Sequence, residues 1–387
     1  MTPAARLSAA IEVLDRVLAG GPVEQTLTNW GRANRYAGSG DRHALRDLVF
    51  DALRCRRSFA ALGGSETGRG LVLGGVRAAG HDPADLFTGA GHAPAVVRGD
   101  EAGSVPEGAV ALDVPDWLVE RLQNSLRADY VAVMQAMQHR APVFLRVNLA
   151  RGTVAAAVAA LAEEAIVVRR VEWMNTALQV IDNERRVQRS QAYLTGLVEL
   201  QDASSQAVVA TLDIAAGMRV LDYCAGGGGK TLALAARGVA VDAHDLNPHR
   251  MKDLPERAAR AGARVRIVEN PAKTAPYDLI LMDVPCSGSG SWRRDPQGKW
   301  ALTEARLAEV LQAQSDILQT CSRLVRQGGQ LAYVTCSLLA EENEGQVAGF
   351  AARNPDWHVA RQQRFSPLQG GSSVGGDGFF AATLTRV

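Results

Sequence analysis

The amino-acid sequence predicts a doubly wound α/β fold in its C-terminal half, preceded by a small α/β unit and an N-terminal all-α domain. From about residue 203, short apolar runs alternate with helical patterns, which is typical of a parallel sheet covered on both faces. A glycine-rich loop follows the first of these runs. Residues 5–60 carry instead the apolar stripes of amphipathic helices.

The chain has 387 residues, which is too long for one small domain, and its composition changes along its length. We expect a helical domain at 1–87, a linker at 88–112, and helices followed by the small α/β unit at 113–200. The doubly wound domain follows at 201–387. Glycine and proline punctuate residues 63–110, which indicates loops in that region.

Each predicted strand is a short run rich in apolar and β-branched residues. In the small α/β unit, a helix at 153–165 accompanies strands at 143–148, 167–173 and 177–182. The predicted strands of the doubly wound domain are 219–224, 239–245, 264–270, 277–283 and 330–336, and then 357–363 and 378–387. We expect the last two to form an antiparallel pair at the edge of the sheet.

The overall composition excludes several classes of protein. The net charge of +1 does not by itself indicate nucleic-acid binding, although a local basic groove is compatible with it. The five cysteines are odd in number and form no C-x-x-C pair, so neither disulfides nor a zinc site are expected. No apolar run is long enough for a membrane span, and the N-terminus lacks a signal-peptide pattern. We therefore expect a cytoplasmic protein with reduced thiols, no bound metal and no membrane partner.

The glycine-rich loop predicts a binding site for a nucleoside-containing cofactor. The stretch DYCAGGGGKT (222–231) links a strand to a helix, and glycine lets the backbone approach a ligand closely. Asp245 ends the next strand, 19 residues after Gly226, where a carboxylate can accept hydrogen bonds from ribose hydroxyls. A P-loop would need glycine in place of Cys224, and the dinucleotide pattern GxGxxG fits only formally. An acidic residue just before a short glycine loop, here Asp222, is more typical of sites for S-adenosylmethionine, which is cationic at sulfur and carries an ammonium group.

Two cysteines, Cys286 and Cys336, each lie just past a predicted buried strand, and Asp283 ends the first of these strands. Ligands bind beyond the carboxyl ends of parallel strands, so neighbouring strands would bring the two thiols within about ten ångströms of each other. A thiolate that adds to carbon 6 of cytosine makes carbon 5 nucleophilic enough to be methylated. An acid must share or supply a proton at nitrogen 3 during the addition, and a base must later remove the carbon-5 proton so that the thiol can leave. Together with Lys230, these residues supply the functional groups for that reaction. The alternative is that each cysteine is a small buried hydrophobic residue, as Cys321 is expected to be.

Four of these motifs carry a family resemblance. They are DYCAGGGGKT, AHDLNPHR (243–250), DVPCSGSGSWRRDP (283–296) and VTCSLLAEENE (334–344), and they resemble the RsmB-type (Sun) family of RNA cytosine-C5 methyltransferases. The resemblance runs from about residue 113 to the end. Residues 5–60 resemble, more weakly, the NusB-like helical domain of bacterial members, and residues 141–200 resemble the RRM-like segment of the family.

The resemblance implies roles for the site residues. Cys336 would be the nucleophile, Cys286 would assist product release, Asp283 would hold the cytosine edge, and Lys230 would lie near the base and the cofactor. The residues expected to bind S-adenosylmethionine are Cys224, Ala225, Gly226, Gly227, Gly228, Gly229, Lys230, Asp245, Asn270 and Asp283.

Two departures from the family pattern concern the cofactor site. The family usually has alanine and proline where this chain has Gly226 and Gly227, so we expect a more flexible loop. Asn270 stands where the family usually has an aspartate; it offers a carbonyl oxygen to the adenine amine but no charge. Both departures are expected to lower the affinity for the cofactor.

The expected substrate is structured RNA. The NusB-like domain accompanies action on ribosomal RNA in the family, so ribosomal RNA is expected, with transfer RNA as the alternative, and we expect a monomer. Arg293 and Arg294 with Trp292 and Trp300 could contact phosphates and stack on bases, or form a solvated loop with packed tryptophans. Two rival hypotheses stay open: Cys286 as nucleophile, as in the DNA cytosine methyltransferases, and a non-catalytic RNA-binding or ribosome-assembly factor.

Overall fold

The computed structural model describes residues 1–369 and 375–387. The chain forms two compact units, each with its own hydrophobic core. The helical unit comprises Met1–Arg140 and Trp292–Ala301, and the sheet unit comprises Ala141–Ser291 and Leu302–Val387. The finer division expected from the sequence, at residues 87, 112 and 200, stays a prediction.

The secondary structure follows the hydrophobic periodicity of the sequence over most of the chain. In chain order the α-helices are α1 (Pro3–Leu18), α2 (Val23–Ala33), α3 (Ser39–Arg54), α4 (Arg56–Gly63), α5 (Gly68–Ala78), α6 (Gly108–Ala111), α7 (Val119–Leu126), α8 (Tyr130–Met137), α9 (Val154–Glu163), α10 (Gln191–Leu194), α11 (Ala203–Ala210), α12 (Gly229–Ala235), α13 (Leu254–Ala261), α14 (Pro296–Ala301), α15 (Glu304–Ser322) and α16 (Glu344–Arg353). The β-strands are β1 (Val143–Val147), β2 (Val167–Arg170), β3 (Ala177–Asp182), β4 (Val198–Leu200), β5 (Val220–Asp222), β6 (Val241–Ala243), β7 (Val265–Ile267), β8 (Tyr277–Asp283), β9 (Val325–Thr335), β10 (Trp357–Phe365) and β11 (Phe379–Arg386). Within the described ranges, every helix is too short or too polar to cross a bilayer.

The helical unit is built from amphipathic helices, as the apolar stripes of residues 5–60 predict. Helix α1 begins after Thr2, whose hydroxyl accepts a hydrogen bond from the Ala5 amide at 3.1 Å and satisfies one free donor of the first turn. The core of the unit joins buried residues of α1, α2, α3 and α5, among them Leu7, Leu14, Trp30, Leu45, Leu53 and Leu71.

Helix α5 lies in a glycine-rich stretch of the helical domain expected at 1–87. Its glycines allow close helix packing. A Cβ atom added at Gly74 would lie 1.9 Å from the Phe59 carbonyl oxygen, and one at Gly63 would lie 1.8 Å from the Gly70 carbonyl oxygen. Only residues without a side chain let α4 and α5 approach this closely.

The small α/β unit is a four-stranded antiparallel sheet in the order β2-β3-β1-β4. Successive residues of the central strand β1 point to opposite faces. Leu145 packs in the cluster that includes residues of α9, whereas Phe144 packs with Ala203 of α11. Both faces of the sheet are therefore covered at β1. Strand β4 has three residues, which is too few for a periodic pattern in the sequence.

The larger sheet has seven strands in the order β10-β11-β9-β8-β5-β6-β7. Strands β5 to β9 pair in parallel, and β10 and β11 form the antiparallel pair predicted at the edge. Buried clusters lie on both faces, as a doubly wound fold requires. This topology places β8 and β9 side by side, with β5 next to β8.

Replacing Gly74 by alanine tests the packing of α5. The new methyl group would overlap the Phe59 carbonyl, so we expect Gly74→Ala to lower the free energy of unfolding by about 2 kcal/mol or more in chemical denaturation. Gly40 in α3 is the matched control, because no atom lies within 4 Å of a Cβ atom there. Gly40→Ala should leave stability unchanged or raise it by up to about 1 kcal/mol. Equal stability of the two variants would contradict the packing role.

Candidate active site

Cys286 and Cys336 lie together where the neighbouring parallel strands β8 and β9 end. Asp283 is in register with Val334, so both segments leave the sheet at the same edge. The two sulfur atoms are 3.3 Å apart, within the range expected for neighbouring strands. The hydrogen bond with Cys336, burial, and the nearby Glu342 carboxylate raise the pKa of Cys286 well above its usual value. Cys286 is therefore a neutral thiol at neutral pH, and it can donate a hydrogen bond to Cys336.

Lys230 and Asp283 form an ion pair beside these thiols. Lys230 lies in the first turn of α12, and its Nζ donates a hydrogen bond to Asp283 Oδ2 at 2.7 Å. The same Nζ lies 4.8 Å from the centroid of the Phe379 ring. Burial opposes the charge of Lys230, but the charge and hydrogen bond of Asp283 outweigh it, so the pKa of Lys230 is raised, with a further contribution from Cys336. The lysine stays protonated next to the sulfur.

The glycine loop between β5 and α12 is held by Asp245, which follows β6. The amide of Gly226 donates to Asp245 Oδ2 at 2.9 Å, and the amide of Asn247 donates to Oδ1 at 2.9 Å. Gly226 and Gly228 have φ angles of 51° and 84°, in the left-handed region that favours glycine. Arg250 Nη1 also donates to Asp245 Oδ2, at 3.0 Å. A carboxylate has about four acceptor sites, so Asp245 keeps about one for a ribose hydroxyl.

The other predicted cofactor residues lie in this loop or after strands of the same sheet. Ala225 is tied to the neighbouring strand, because its amide donates to the His244 carbonyl at 2.9 Å. Burial raises the pKa of Cys224, so this thiol is neutral and can only pack or make weak contacts. Asn270 follows β7, two strands from β5, and its side chain accepts a hydrogen bond from Ala272 at 3.0 Å. Leu246, which directly follows Asp245, was not singled out from the sequence. Its side chain is 94% exposed, which is unusual for a large apolar residue.

Asp222, the acidic residue before the loop, is more strongly constrained than the sequence indicates. It is 1% exposed, and its Oδ2 accepts a hydrogen bond from the Thr231 hydroxyl at 2.7 Å. Its Oδ1 is buried without a hydrogen-bond partner among the described residues. Burial, above all, raises the pKa of Asp222 to about 7. An unpartnered carboxylate oxygen next to a glycine loop fits a cationic ligand, such as the methionine end of S-adenosylmethionine.

Glu342 joins the two thiol-bearing segments, and sequence reasoning missed it. Its side chain is fully buried in the sheet unit. The carboxylate accepts hydrogen bonds from the Ser287 amide at 2.7 Å, from Gln314 at 3.0 Å, and from the hydroxyls of Ser287 and Ser337. Ser287 and Ser337 directly follow the two cysteines, so one carboxylate fixes both loops. The sequence gives no signal for it, because Glu342 stands among several acidic residues after Cys336.

The residues proposed to contact RNA phosphates and bases do not all lie at a surface. Trp292 and Arg293 are each 2% exposed and belong to the helical unit. The Trp300 indole donates a hydrogen bond to a backbone carbonyl of α3 at 2.7 Å. The RNA-contact interpretation was therefore wrong for Trp292 and Arg293. The alternative of a solvated loop with packed tryptophans is correct in that Trp292 is packed, but wrong for Arg293, which is buried. Arg294 is exposed, and its phosphate contact stays a prediction.

The sheet order and the loop–carboxylate pair together define a Rossmann-like methyltransferase domain. Comparison with protein families supports this class. Residues 209–385 match the family described as 16S rRNA methyltransferase RsmB/F, and residues 114–188 match a ferredoxin-like domain of RsmF/B-like methyltransferases. The chain belongs to the RsmB-type (Sun) family, so the resemblance and the fold class predicted from the sequence are confirmed. S-adenosylmethionine is the methyl donor of this family, which confirms the predicted cofactor at that level.

Curated relatives agree with this assignment. The ribosomal RNA small subunit methyltransferase B of Salmonella arizonae is 33% identical over 286 residues, which cover 70% of this chain and 66% of that protein. The protein of the same name from Sodalis glossinidius is 33% identical over 289 residues, covering 70% and 65%. The matched part thus spans slightly less than two thirds of the length of these relatives.

Solved structures show the same fold. The crystal structure of PH0851 has a TM-score of 0.79 at 24% identity and covers 100% of this chain and 99% of that one. NSun6 from Pyrococcus horikoshii, solved with SFG, has a TM-score of 0.62 at 18% identity and covers 71% and 98%. At these identities the likeness concerns the fold alone.

The pKa of Asp222 makes stability depend on pH. Between the ordinary aspartate pKa of 3.8 and the folded pKa of about 7, the folded chain binds a proton that the unfolded chain does not, so stability falls as pH rises. Ionising this carboxyl in the folded chain costs up to about 4 kcal/mol. We expect Asp222→Asn to melt at a higher temperature than the wild type at about pH 8.5, but at nearly the same temperature at about pH 4.

The control for this measurement is Asp213→Asn, which changes an exposed aspartate of the same unit. Its melting temperature should follow the wild type at both pH values. If the melting temperature of Asp222→Asn also equals that of the wild type at the higher pH, ionisation of Asp222 does not lower the stability of the folded chain.

Neutralising Glu342 tests its role as the link between the thiol segments. Glutamine keeps the shape but has one acceptor oxygen and one donor nitrogen, so some of the surrounding donors lose their partner. We expect Glu342→Gln to lower the free energy of unfolding by about 1–3 kcal/mol. Glu344→Gln removes a half-exposed ion pair with Arg364 and should cost less than about 1 kcal/mol. A cost for Glu342→Gln no larger than that of Glu344→Gln would contradict the role.

Proposed function

We propose that this chain transfers a methyl group from S-adenosylmethionine to carbon 5 of a cytosine in structured RNA, through a covalent bond to Cys336. The observation that carries the proposal is the pair of sulfur atoms 3.3 Å apart, at the strand ends where Lys230 binds Asp283. A nucleophile, a second proton-carrying group and a buried ion pair at one sheet edge are the parts that addition to a pyrimidine requires.

The residues around the glycine loop fit the methyl donor. Asp245 would bind a ribose hydroxyl, and the exposed side chain of Leu246 offers an apolar surface to the adenine. The unpartnered oxygen of Asp222 would face the cationic methionine end. When bound, the cofactor supplies an electrophilic methyl group on a sulfonium. Asn270 would accept a hydrogen bond from the adenine amine.

Addition to the base begins at Cys336. Its sulfur forms a bond to carbon 6, and the electrons of the carbon 5–carbon 6 double bond move towards nitrogen 3 and the ring carbonyl. Asp283 can bind Lys230 through Oδ2 and the polar edge of the cytosine through Oδ1. The Lys230 ammonium offsets the negative charge that develops on the ring. Carbon 5 then becomes nucleophilic enough to take the methyl group.

Release of the product needs a base near Cys336. After methylation, carbon 5 still carries its proton. Loss of this proton returns its electrons to the ring, re-forms the double bond and breaks the bond between carbon 6 and sulfur. Cys286 is a neutral thiol next to the leaving sulfur. It would give its own proton to the departing Cys336 sulfur and take up the carbon-5 proton in exchange, so it acts as a relay.

Ribosomal RNA is the proposed substrate class. The curated relatives are named as methyltransferases of small subunit ribosomal RNA, and a helical unit precedes the sheet unit in this chain. Transfer RNA is the alternative to be compared in the same assay. A monomeric state and a cytoplasmic location complete the proposal.

The test uses methyl-labelled S-adenosylmethionine with small-subunit ribosomal RNA or transfer RNA. We expect label in 5-methylcytidine after digestion of the ribosomal RNA. Cys336→Ala should abolish both methyl transfer and the covalent protein–RNA adduct, whereas Cys286→Ala should let the adduct accumulate, because the bond to carbon 6 forms but is not released.

Cys55→Ser is the matched control, because this thiol lies in the helical unit and donates to a backbone carbonyl there. It should methylate like the wild type. Adduct accumulation in Cys336→Ala instead of Cys286→Ala would reverse the two roles. RNA binding without label in 5-methylcytidine would indicate a non-catalytic RNA-binding factor.

A further inference from the structure

The cofactor loop has a support that the sequence pattern does not indicate. The loop carries four consecutive glycines, Gly226 to Gly229, and Gly226 has a left-handed φ of 51°. A loop of four glycines has many conformations to lose when it binds a ligand. The structure nevertheless holds it against α13. Leu254 at the start of α13 fills the space next to Gly228, where a Cβ atom would lie 2.2 Å from a Leu254 methyl group.

Arg257, one turn after Leu254 on the same face of α13, contacts the loop directly. Its Nη1 donates a hydrogen bond to the carbonyl of Gly227, and its Nη2 lies 3.4 Å from Glu199 Oε1. A hydrogen bond from a charged donor is stronger than one between neutral groups. The guanidinium therefore fixes a peptide group whose φ and ψ angles glycine leaves free.

Glu199 holds Arg257 in this position. The glutamate lies on β4, is buried, and also binds Arg260 at 2.9 Å through its other oxygen. The Arg260 guanidinium in turn lies 4.2 Å from the centroid of the Tyr193 ring. Two arginines of α13 thus share one buried carboxylate of the small α/β sheet. Because Arg257 is held in place before the ligand arrives, less conformational entropy is lost when the ligand binds to the loop.

The contact leaves little room for a side chain at residue 227. A Cβ atom there would lie 3.1 Å from Arg257 Nη1, so a residue other than glycine would require the guanidinium to shift by a few tenths of an ångström. Proline at 227 would stiffen the loop through its fixed φ, but it would also displace Arg257. The peptide group at residue 227 can therefore be fixed in two ways: by glycine at 227 held by Arg257, or by proline at 227 in the absence of Arg257.

The geometry points to Arg257 as a positioning residue that rigidifies the S-adenosylmethionine loop. This inference rests on the proposed function for its ligand, but the loop itself can be observed without a ligand. Arg257 acts through the Gly227 peptide. Its removal should therefore raise the Kd and the KM for S-adenosylmethionine and leave kcat and the KM for RNA nearly unchanged.

The test compares Arg257→Gln with wild type by hydrogen–deuterium exchange of the ligand-free protein and by calorimetric titration with S-adenosylmethionine. In Arg257→Gln we expect the amides of Gly226 and Gly228 to exchange about tenfold faster and the Kd to rise about tenfold, the scale of one charged hydrogen bond. Adding Gly227→Pro to Arg257→Gln should restore the Kd to within about threefold of wild type, because the fixed φ of proline limits the conformations of the loop even when the arginine is absent.

Arg264→Gln is the matched control: Arg264 also donates to a backbone carbonyl of the sheet unit, that of Gly238, but away from the loop. It should change neither measurement. If Arg257→Gln is poorly folded, Glu199→Gln provides the same test by releasing the arginine. The inference would be overturned if the loop amides exchanged at the wild-type rate in both Arg257→Gln and Glu199→Gln. It would also be overturned if the Kd of the double variant were as high as that of Arg257→Gln. A wild-type protein that does not bind S-adenosylmethionine, while its loop responds to Arg257→Gln, would refute the proposed function and support the positioning role.

Discussion

The parallel pairing of β8 with β9 is the constraint on which the candidate site depends. Because parallel strands end at the same edge, the register of Asp283 with Val334 brings together the segments that carry Cys286 and Cys336. These two cysteines are 50 residues apart in sequence and 3.3 Å apart at sulfur. Neither cysteine would indicate chemistry alone, since an isolated buried thiol is usually a packing residue. Their shared location makes them a pair that can pass a proton.

Four carboxylates organise the rest of the site, and each has a different role. Asp283 keeps Lys230 charged, Glu342 gathers donors from both cysteine loops, and Glu199 holds an arginine against the cofactor loop. Asp222 differs from these three because one of its oxygens lacks a partner, which makes its charged form costly. A site arranged in this way is preorganised at the thiols, while Asp222 leaves a place for a cation.

Much of the fold and the central part of the site could be predicted from the sequence. Strand–helix alternation predicts a parallel sheet, and neighbouring parallel strands end at the same edge, which predicts that Cys286 and Cys336 meet there. The contributions of Glu342 and Arg257 could not be predicted, since each depends on which face of a local segment packs inward. The burial of Arg293 was unexpected for a related reason: a charged residue in a loop sequence suggests solvent, and only the packing of the helical unit shows otherwise.

The central claim is that Cys336 bonds to the base, and RNA containing 5-fluorocytidine tests it most directly. Fluorine on carbon 5 cannot leave as a cation, so the bond to sulfur persists after methyl transfer. The two cysteines fall in different tryptic peptides, residues 274–293 for Cys286 and 327–353 for Cys336. Mass spectrometry after nuclease and trypsin digestion should find the methylated fluorocytidine nucleotide on the 327–353 peptide. The same mass on the 274–293 peptide, or unmodified peptides from protein that has bound both RNA and methyl donor, would contradict the account.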